Sequence, residues 1–377
     1  MSERSESRGG DSQLVRRLTQ TVTYSIVPTL VAIAAALLAT AAIVWISGAP
    51  VGGFLDAMLS MPGERDLVII INQASMIALS AFAAAICFRM NIFNIGVEGQ
   101  YIIGACAGAF FAGAGIVPGP LNILATLVVA MAAGMGWAMI AAVLNVTRGV
   151  SEVISAIMLN YVALTLAGYL VKTYGSKSGY TFTTGTIPPS SQPLGFGIFS
   201  GAPDVWALAI LAVIVAVGYS FLLGWTRFGF DLRTAGESRT AALANGINPK
   251  KMVLITMAIS GAIAGLVWMP SFFGSTHTFG IPEYFQRGLG FTGLAVALLG
   301  RNTSLGIFFG ATLFAFLSTQ SNRLQSVGVG RDVVEITQGV VVLMVVIAFE
   351  ISRRMKARRE QERVARELGS STEGVRA

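Results

Sequence analysis

The sequence predicts an all-α polytopic membrane protein with about ten transmembrane helices. Of its 377 residues, 54% are hydrophobic and only 12% are charged, whereas soluble proteins carry about 25% charged residues. Apolar runs of roughly 20 residues, the length that crosses a bilayer, recur along the chain. The 43 glycines suit close helix packing in lipid. The net charge of +7 lies in loops and tails, where membrane topology and anionic lipids account for it, so we expect no nucleic-acid binding.

Ten apolar stretches are the candidate spans. Residues 1–20 are predicted to be a disordered cytoplasmic tail, residues 21–350 the transmembrane domain, and residues 351–377 a charged cytoplasmic tail. The first stretch follows two arginines but is too long for the apolar part of a signal peptide, so we expect an uncleaved helix. The predicted spans are Tyr24–Ile46, Leu67–Cys87, Tyr101–Ile116, Leu121–Leu144, Val153–Val171, Val205–Leu223, Met252–Met269, Gly288–Leu299, Ser304–Leu317 and Val333–Phe349.

The distribution of Lys and Arg predicts that both chain ends lie in the cytoplasm. With ten spans and this orientation, six of the 26 cations fall in external segments and the remaining 20 (26 minus six) fall in cytoplasmic ones. Cytoplasmic loops of membrane proteins carry such an excess. An odd number of spans would instead place the cationic C-terminal tail outside.

Two polar loops interrupt the apolar pattern. Thr226–Lys251 carries five cations and is predicted to be cytoplasmic, with one short helix over Glu237–Leu243 that Asn245–Gly246 terminates. A short helix on that face is suited to contacting a partner. Lys172–Asp204, rich in Thr, Ser, Gly and Pro, is predicted to be external. It is either a solvated connection or a docking surface for an external partner.

Spans two to five and seven to ten form two sets of four helices, which the topology makes inverted copies. The second helix of each set begins at a polar, glycine-rich interruption, Asn91–Gln100 in the first set and Phe285–Gly293 in the second. Broken helices at matching positions of inverted repeats indicate a transport site, because free backbone groups in a membrane are tolerated only beside protein or water.

Several residues of these interruptions are candidates for the substrate pathway. Glu98 is costly in lipid, by roughly 3 kcal/mol or more, so it either contacts a ligand or gate beside Asn94 and Gln100, or it pairs with Arg89 or caps its own helix. Asn160 lies deep in the fifth span and can bond a substrate, although a bond to a neighbouring helix is the favoured interpretation. Two aromatic residues are placed either to stack on a flat ligand or to pack within the protein. They are Phe93 and Phe291.

Motifs of enzymes are missing from the sequence. It contains no GxxxxGK[ST] motif and no HExxH motif, and its single histidine, His277, makes a His-based metal or catalytic site unexpected. Both cysteines, Cys87 and Cys106, lie in apolar stretches and are expected to pack there. We therefore expect no catalytic residues, no metal and no cofactor in this chain.

Four motifs, in this order, resemble one family. They are FNIGVEGQ at Phe93–Gln100, GVSEVISAIMLNYVA at Gly149–Ala163, RTAGESRTAALANGIN at Arg233–Asn248 and GLGFTGLAVALLGRN at Gly288–Asn302. The chain resembles the membrane permease subunits of ABC importers of the ribose and branched-chain amino acid type. Within that family it is most similar to the nucleoside-type permeases that work with basic-membrane-protein-like lipoprotein receptors.

The resemblance implies partners and a location. The basic loop would be the coupling loop that inserts into a groove of a cytoplasmic ABC ATPase, which hydrolyses the ATP. A second permease subunit, identical or related, would share the pathway, and a periplasmic or lipoprotein substrate-binding protein would dock outside. The location would be the bacterial cytoplasmic (inner) membrane. The residues expected in the coupling loop are Arg233, Gly236, Glu237, Arg239, Ala241, Ala242, Gly246 and Ile247.

The resemblance implies nucleosides as substrates, with monosaccharides as the alternative from the parent family. A nucleoside needs a slot for its base, which Phe93 or Phe291 can supply, and polar groups for its ribose, which Asn94, Gln100 or Asn160 can supply. A different class, the ion-driven secondary transporter, also uses broken helices in inverted repeats. It normally needs several acidic or polar residues to bind H⁺ or Na⁺, and the spans here offer almost no acidic side chain.

Overall fold

The computed structural model describes residues 27–46, 50–280 and 285–326, together with residues 336–340 and single positions between 333 and 354. The chain divides into two units, Met61–Thr319 and the combination of Met1–Ser60 with Gln320–Ala377. The predicted N-terminal tail, about half of the predicted tenth span and nearly all of the predicted C-terminal tail lie outside the described residues.

The smaller unit contains α1 (Val27–Ile46) and α2 (Val51–Leu59). The first corresponds to the first predicted span. The second was not predicted, because nine residues that include a Gly-Gly pair are too few to give a span signal. Ser60, which follows α2, accepts a hydrogen bond from the Arg323 guanidinium at 2.6 Å.

The larger unit is built from helices. In chain order they are α3 (Glu64–Phe88), α4 (Val97–Gly113), α5 (Pro120–Arg148), α6 (Glu152–Tyr174), α7 (Ile210–Trp225), α8 (Arg227–Glu237), α9 (Arg239–Ala244), α10 (Pro249–Gly265), the short α11 (Met269–Ser271), α12 (Leu289–Leu299) and α13 (Ser304–Ser326), whose last residues belong to the smaller unit. A π-helical turn, Phe272–Thr276, extends α11.

Among the described residues, five helical segments are long and apolar enough to cross a membrane. They are Glu64–Phe88, Pro120–Arg148, Glu152–Tyr174, Ala207–Trp225 and Pro249–Thr276, and they coincide with the second, fourth, fifth, sixth and seventh predicted spans. The helix α12 and the segment Ser304–Gln320 are shorter apolar helices, as expected for the eighth and ninth. The chain is therefore mainly helical, with the composition of a multi-pass membrane protein.

The helix α3 forms the centre of the larger unit. Nearly every side chain from Ser75 to Cys87 is buried, and Ala81, Ala83, Ala84 and Ala85 are fully so. Small side chains let neighbouring helices approach closely, which supplies the van der Waals contact that holds helices together in lipid. The helices α10 and α12 both pack against α3, so the two predicted helix sets meet on it.

A second close contact joins α5 to α10. An added Cβ at Gly134 would overlap the carbonyl oxygen of Gly261, and one at Gly265 would overlap the carbonyl oxygen of Ala130. The glycines 261 and 265 are four residues apart, which is the GxxxG spacing of close helix pairs in membranes. Gly104 of α4 lies on the same contact, where its added Cβ would be 2.6 Å from the Gly265 Cα.

The loop Lys172–Asp204 contains short elements of regular structure. It contains the hairpin of β1 (Ser176–Ser178) and β2 (Thr181–Thr183), and its Phe196 forms a β-bridge with Val205 just after the loop. The Asn72 side chain of α3 fixes the end of the loop, because its oxygen accepts from the Trp206 amide at 2.9 Å and its nitrogen donates to the Asp204 carbonyl at 3.2 Å.

Candidate functional site

The chain between α3 and α4 is the first broken segment, and its polar side chains bind one another. Asn91 has a left-handed backbone with φ of 58°, which reverses the chain after α3. The amides of Asn94 and Gln100 form a reciprocal pair with distances of 3.0 and 2.9 Å. Asn94 also donates to the Ser260 hydroxyl at 2.7 Å and accepts from the Gly96 amide at 3.1 Å. With Asn94 fully buried, all four of its hydrogen-bonding positions are used within the protein.

Asn160 of α6 binds the same segment from the other side. Its side-chain oxygen accepts from the Gly99 amide at 2.8 Å and its nitrogen donates to the Ile95 carbonyl at 3.0 Å. An added Cβ at Gly99 would lie 2.9 Å from that oxygen, so the glycine permits the contact. The interpretation of Asn160 as a bond between helices is confirmed.

Glu98 caps the second broken helix. Its carboxylate accepts from the amide of Gly288 at 2.7 Å through Oε1 and from the amide of Gly290 at 2.8 Å through Oε2. The Tyr101 hydroxyl lies 3.0 Å from Oε1 and 2.9 Å from the Gln286 carbonyl, so its proton has two acceptors in reach. Backbone N–H groups at a helix start lack partners within the helix, and the helix dipole favours a negative group there.

The expected structural partners of Glu98 were wrong. It neither pairs with Arg89, whose guanidinium donates to the Asn302 carbonyl at 2.8 Å, nor caps its own helix. Two features of the second broken segment allow the observed contact. Gly288 has φ of 91°, which turns the chain into α12, and an added Cβ at Gly290 would lie 2.7 Å from the Glu98 Cα.

The two candidate aromatic side chains differ from the buried amides because they are about half exposed. Phe93 is 48% exposed and Phe291 is 54% exposed. Phe93 contacts the Phe88 ring edge-on with centroids 5.2 Å apart. Each ring lies next to the buried hydrogen-bonding residues of its own broken segment. Those residues fix the backbone of the segment, and the ring itself remains accessible.

Two parts of the site, an aromatic cluster and a serine, were not identified from the sequence. Tyr101 stacks on Phe285 with ring centroids 5.2 Å apart, and Trp268 packs against the same Phe285 at 5.3 Å. Ser260 of α10 accepts from Asn94 and donates to the Ala83 carbonyl. A serine within the glycine-rich run of α10 was the available signal, because a hydroxyl inside a span usually bonds a neighbouring helix.

The basic segment Thr226–Lys251 forms two short helices instead of one. The helix α8 ends before Ser238, whose extended backbone (φ −153°) breaks the chain and whose hydroxyl accepts from the Ala241 amide to start α9. The predicted start at Glu237 was therefore wrong. The predicted end is confirmed, since α9 stops at Ala244 and Gly246 has the left-handed φ of 73°.

Comparisons with known proteins decide the family. The family model described as the permease component of branched-chain amino acid transport systems matches residues 67–349. The chain belongs to this permease family.

Individual relatives extend the match over nearly the whole permease. It is 33% identical to a guanosine ABC transporter permease protein of Bacillus subtilis over 90% of this chain and 96% of that one. It is 27% identical to a nucleoside ABC transporter permease protein of Lactococcus lactis over 80% of this chain and 85% of that one. It is 29% identical to a glucose ABC transporter permease protein of Haloferax volcanii over 85% and 86%. No solved structure matches significantly. As a permease component, the protein is a multi-pass membrane transport protein and not an enzyme.

The expected coupling residues of the permease separate into two groups. Arg233, Glu237, Arg239, Ala241 and Gly246 are exposed and Ile247 is half-buried. Gly236 and Ala242 face the protein instead. Ala242 is fully buried, and an added Cβ at Gly236 would lie 2.7 Å from the Arg89 carbonyl oxygen. These two small residues therefore allow close packing within the permease, and the exposed members of the set are the ones accessible to a partner.

Leu243, in α9, is an exposed residue of the basic segment that the sequence did not single out. Its side chain is 62% exposed, on a helix that is otherwise small or charged. An exposed leucine beside cationic side chains gives the segment both apolar and electrostatic contact area. Along with Arg239 and Lys250, Leu243 lines a groove of about 520 Å³ beside α9.

Proposed function

We propose that this permease is the membrane subunit of an ATP-driven ABC importer that carries nucleosides across the bacterial cytoplasmic (inner) membrane. The observation that carries the proposal is the similarity to the guanosine permease over 96% of that protein's length. A second relative named for nucleosides supports the same substrate class. In an importer of this kind the ATP would be hydrolysed by the partner ATPase, so the permease itself needs no catalytic residue.

A monosaccharide is the second candidate substrate, because one relative is named a glucose permease. Its identity to this chain is 29%, against 33% for the guanosine permease. Both substrates are uncharged and rich in hydroxyl groups. They differ in the flat base, for which a nucleoside pathway needs aromatic or apolar surface.

We propose ten spans, with both ends inside and two inverted sets of four. The charge distribution of 20 internal against six external cations supports the orientation. The pattern of two serine contacts supports the repeats. Ser80, in the first helix of the first set, donates to the Leu289 carbonyl at the start of the second set's broken helix at 2.8 Å. Ser260, in the first helix of the second set, binds Asn94 before the first set's broken helix.

The proposed pathway uses the two broken segments in two ways. The rings of Phe93 and Phe291 would contact the base of the substrate, because both are half exposed. Asn94, Gln100, Asn160 and Glu98 would shape the pathway by holding the backbone of these segments. Their hydrogen-bonding groups already have protein partners, and replacing those partners with substrate would leave buried groups unsatisfied.

The contact of Gly236 with the end of α3 offers a mechanical link from the ATPase. The segment α8–α9 would dock on the ATPase through its exposed side chains. Behind it, Gly236 packs on the backbone of Arg89 and Met90, and four residues after Met90 comes Asn94 of the first broken segment. A displacement of α8 would therefore reach the proposed pathway through a short, packed stretch of backbone, as expected for a two-state switch.

Two further partners complete the proposed importer. A second permease subunit, identical or related, would form the other wall of the pathway. A substrate-binding protein, periplasmic or lipid-anchored, would dock outside on the Lys172–Asp204 loop. The ordered hairpin of this loop and its attachment to Asn72 give such a partner a fixed surface.

Transport by the reconstituted importer tests the proposal. The permease would be purified with its co-purifying ATPase and any second permease, reconstituted in proteoliposomes, and supplied with the substrate-binding protein outside and ATP at the ATPase side. Uptake of labelled guanosine that unlabelled uridine reduces and glucose leaves unchanged is the expected result. Uptake of glucose alone would establish the sugar alternative, and uptake driven by an ion gradient without ATP would contradict the ABC mechanism.

A further inference from the structure

The starts of both broken helices are occupied by the protein's own polar groups. A helix N-terminus in a transporter is a natural place for an anionic group of the substrate, because its N–H groups and dipole attract negative charge. At the start of α4, the Gly96 amide is bound by Asn94 and the Gly99 amide by Asn160. At the start of α12, the amides of Gly288 and Gly290 are bound by Glu98.

The geometry at α12 is that of a bound anion. One carboxylate carries both contacts, with each oxygen bonded to one amide at 2.7 and 2.8 Å, which is the short distance of charge-assisted bonds. The Tyr101 hydroxyl, which also reaches the Gln286 carbonyl, lies 3.0 Å from Oε1. Glu98 is 7% exposed, and the groups that contact its oxygens are neutral.

We propose that Glu98 is a built-in anion that makes the pathway selective for uncharged substrates. This inference rests on the proposed function and deepens it by naming the substrate class. A substrate carboxylate or phosphate would find the N-terminus of α12 already filled and would be repelled by the charge of Glu98. A nucleoside or another neutral, hydroxyl-rich molecule meets no such penalty. Glu98 is a specificity-determining residue in this scheme, although its side chain binds the protein and not the substrate.

Replacing the Glu98 carboxylate with a free anion tests whether the start of α12 binds an anion there. In Glu98→Ala the Gly288 and Gly290 amides lose their acceptor, and formate has the carboxylate chemistry to fill the vacated place. The thermal unfolding temperature of the purified full-length permease would be measured with sodium formate and, as the ionic-strength control, sodium chloride. We expect the variant to unfold at a lower temperature than the wild type and formate to restore part of the loss.

A matched control separates this effect from general stabilisation by formate. Glu152 also lies in the first turn of a helix, but it binds the Asn145 side chain at 2.9 Å and is only partly buried. Formate should stabilise Glu98→Ala more than it stabilises Glu152→Ala or the wild type. Equal shifts of the unfolding temperature in all three proteins would overturn the proposal that Glu98 is a built-in anion. If Glu98→Ala does not fold, Glu98→Gln keeps the side-chain size and one acceptor oxygen, and the same comparison applies.

Direct binding tests the selectivity. Equilibrium binding of labelled uridine and of uridine 5′-phosphate to the purified permease avoids the filtering done by a substrate-binding protein. The wild type should prefer uridine, and the preference should fall on the order of tenfold in Glu98→Gln, which removes the charge. An unchanged preference would refute the selectivity role. If uridine fails to bind the wild type at all, the proposed nucleoside function fails, while the formate result still tests the built-in anion.

Discussion

The contact between α5 and α10 predicts a large difference between two glycines of one helix. Gly134 faces α10, where an added Cβ would overlap the Gly261 carbonyl oxygen and lie 2.9 Å from the Gly265 Cα. Gly136, two residues further along α5, has no atom within 4 Å of an added Cβ. Gly134→Ala and Gly136→Ala are therefore chemically identical changes in opposite surroundings.

The magnitude follows from what the added methyl group meets. Overpacking costs about 1–3 kcal/mol, and relief is difficult here because the obstructing atoms are backbone, and Gly265 is itself held against Ala130 and Gly104. At Gly136 the change should be neutral or stabilising by up to about 1 kcal/mol, because alanine is the better helix former. We expect the variants to differ by about 1–4 kcal/mol, or by roughly 1–5 °C in unfolding temperature for a chain of this length.

Thermal unfolding of the purified permease in one detergent measures this difference. Size-exclusion profiles before heating show whether each variant is folded and monodisperse. Equal unfolding temperatures for Gly134→Ala and Gly136→Ala would refute the reasoning, because the close approach of α5 to α10 would then not contribute to stability.

Three further predictions concern the basic segment, the attached loop and the first broken segment. Leu243→Asp should abolish co-purification of the ATPase at an unchanged unfolding temperature, since Leu243 is exposed, whereas Ala242→Leu should lower that temperature, since Ala242 is fully buried; the reverse pattern would contradict the assignment of the docking surface. Asn72→Ala removes two hydrogen bonds to the loop end and should speed amide hydrogen exchange there, by about 10- to 100-fold for a loss of about 1–3 kcal/mol; unchanged exchange would show that the loop is held by other contacts. Phe93→Ala should reduce nucleoside uptake with little change in stability, because the ring is half exposed, whereas Asn94→Ala should destabilise the permease by about 1–3 kcal/mol by leaving buried partners unsatisfied; uptake unaffected by Phe93→Ala would remove that ring from the pathway.

Local signals allowed much of the architecture to be predicted from the sequence. Hydropathy located the spans that the structure describes as long apolar helices, because the cost of exposing polar groups to lipid acts residue by residue. Helix-stop chemistry worked at Gly246, whose left-handed φ ends α9. The polar, glycine-rich interruptions at the starts of α4 and α12 were recognised as breaks from their local composition. These features depend on neighbours within a few positions of the chain.

The partners within the site were decided by the tertiary structure alone. Glu98 binds amides about 190 positions away in the sequence, and Asn94 binds Ser260, 166 positions away. Its charge in an apolar stretch showed that Glu98 needed a partner but not which partner it has, because several donors satisfy a carboxylate equally well. Gly236 was likewise expected in the coupling loop, but the sequence did not show that it packs on the backbone of Arg89. Composition thus determined that polar groups in the membrane must be satisfied, and helix packing determined which groups satisfy them.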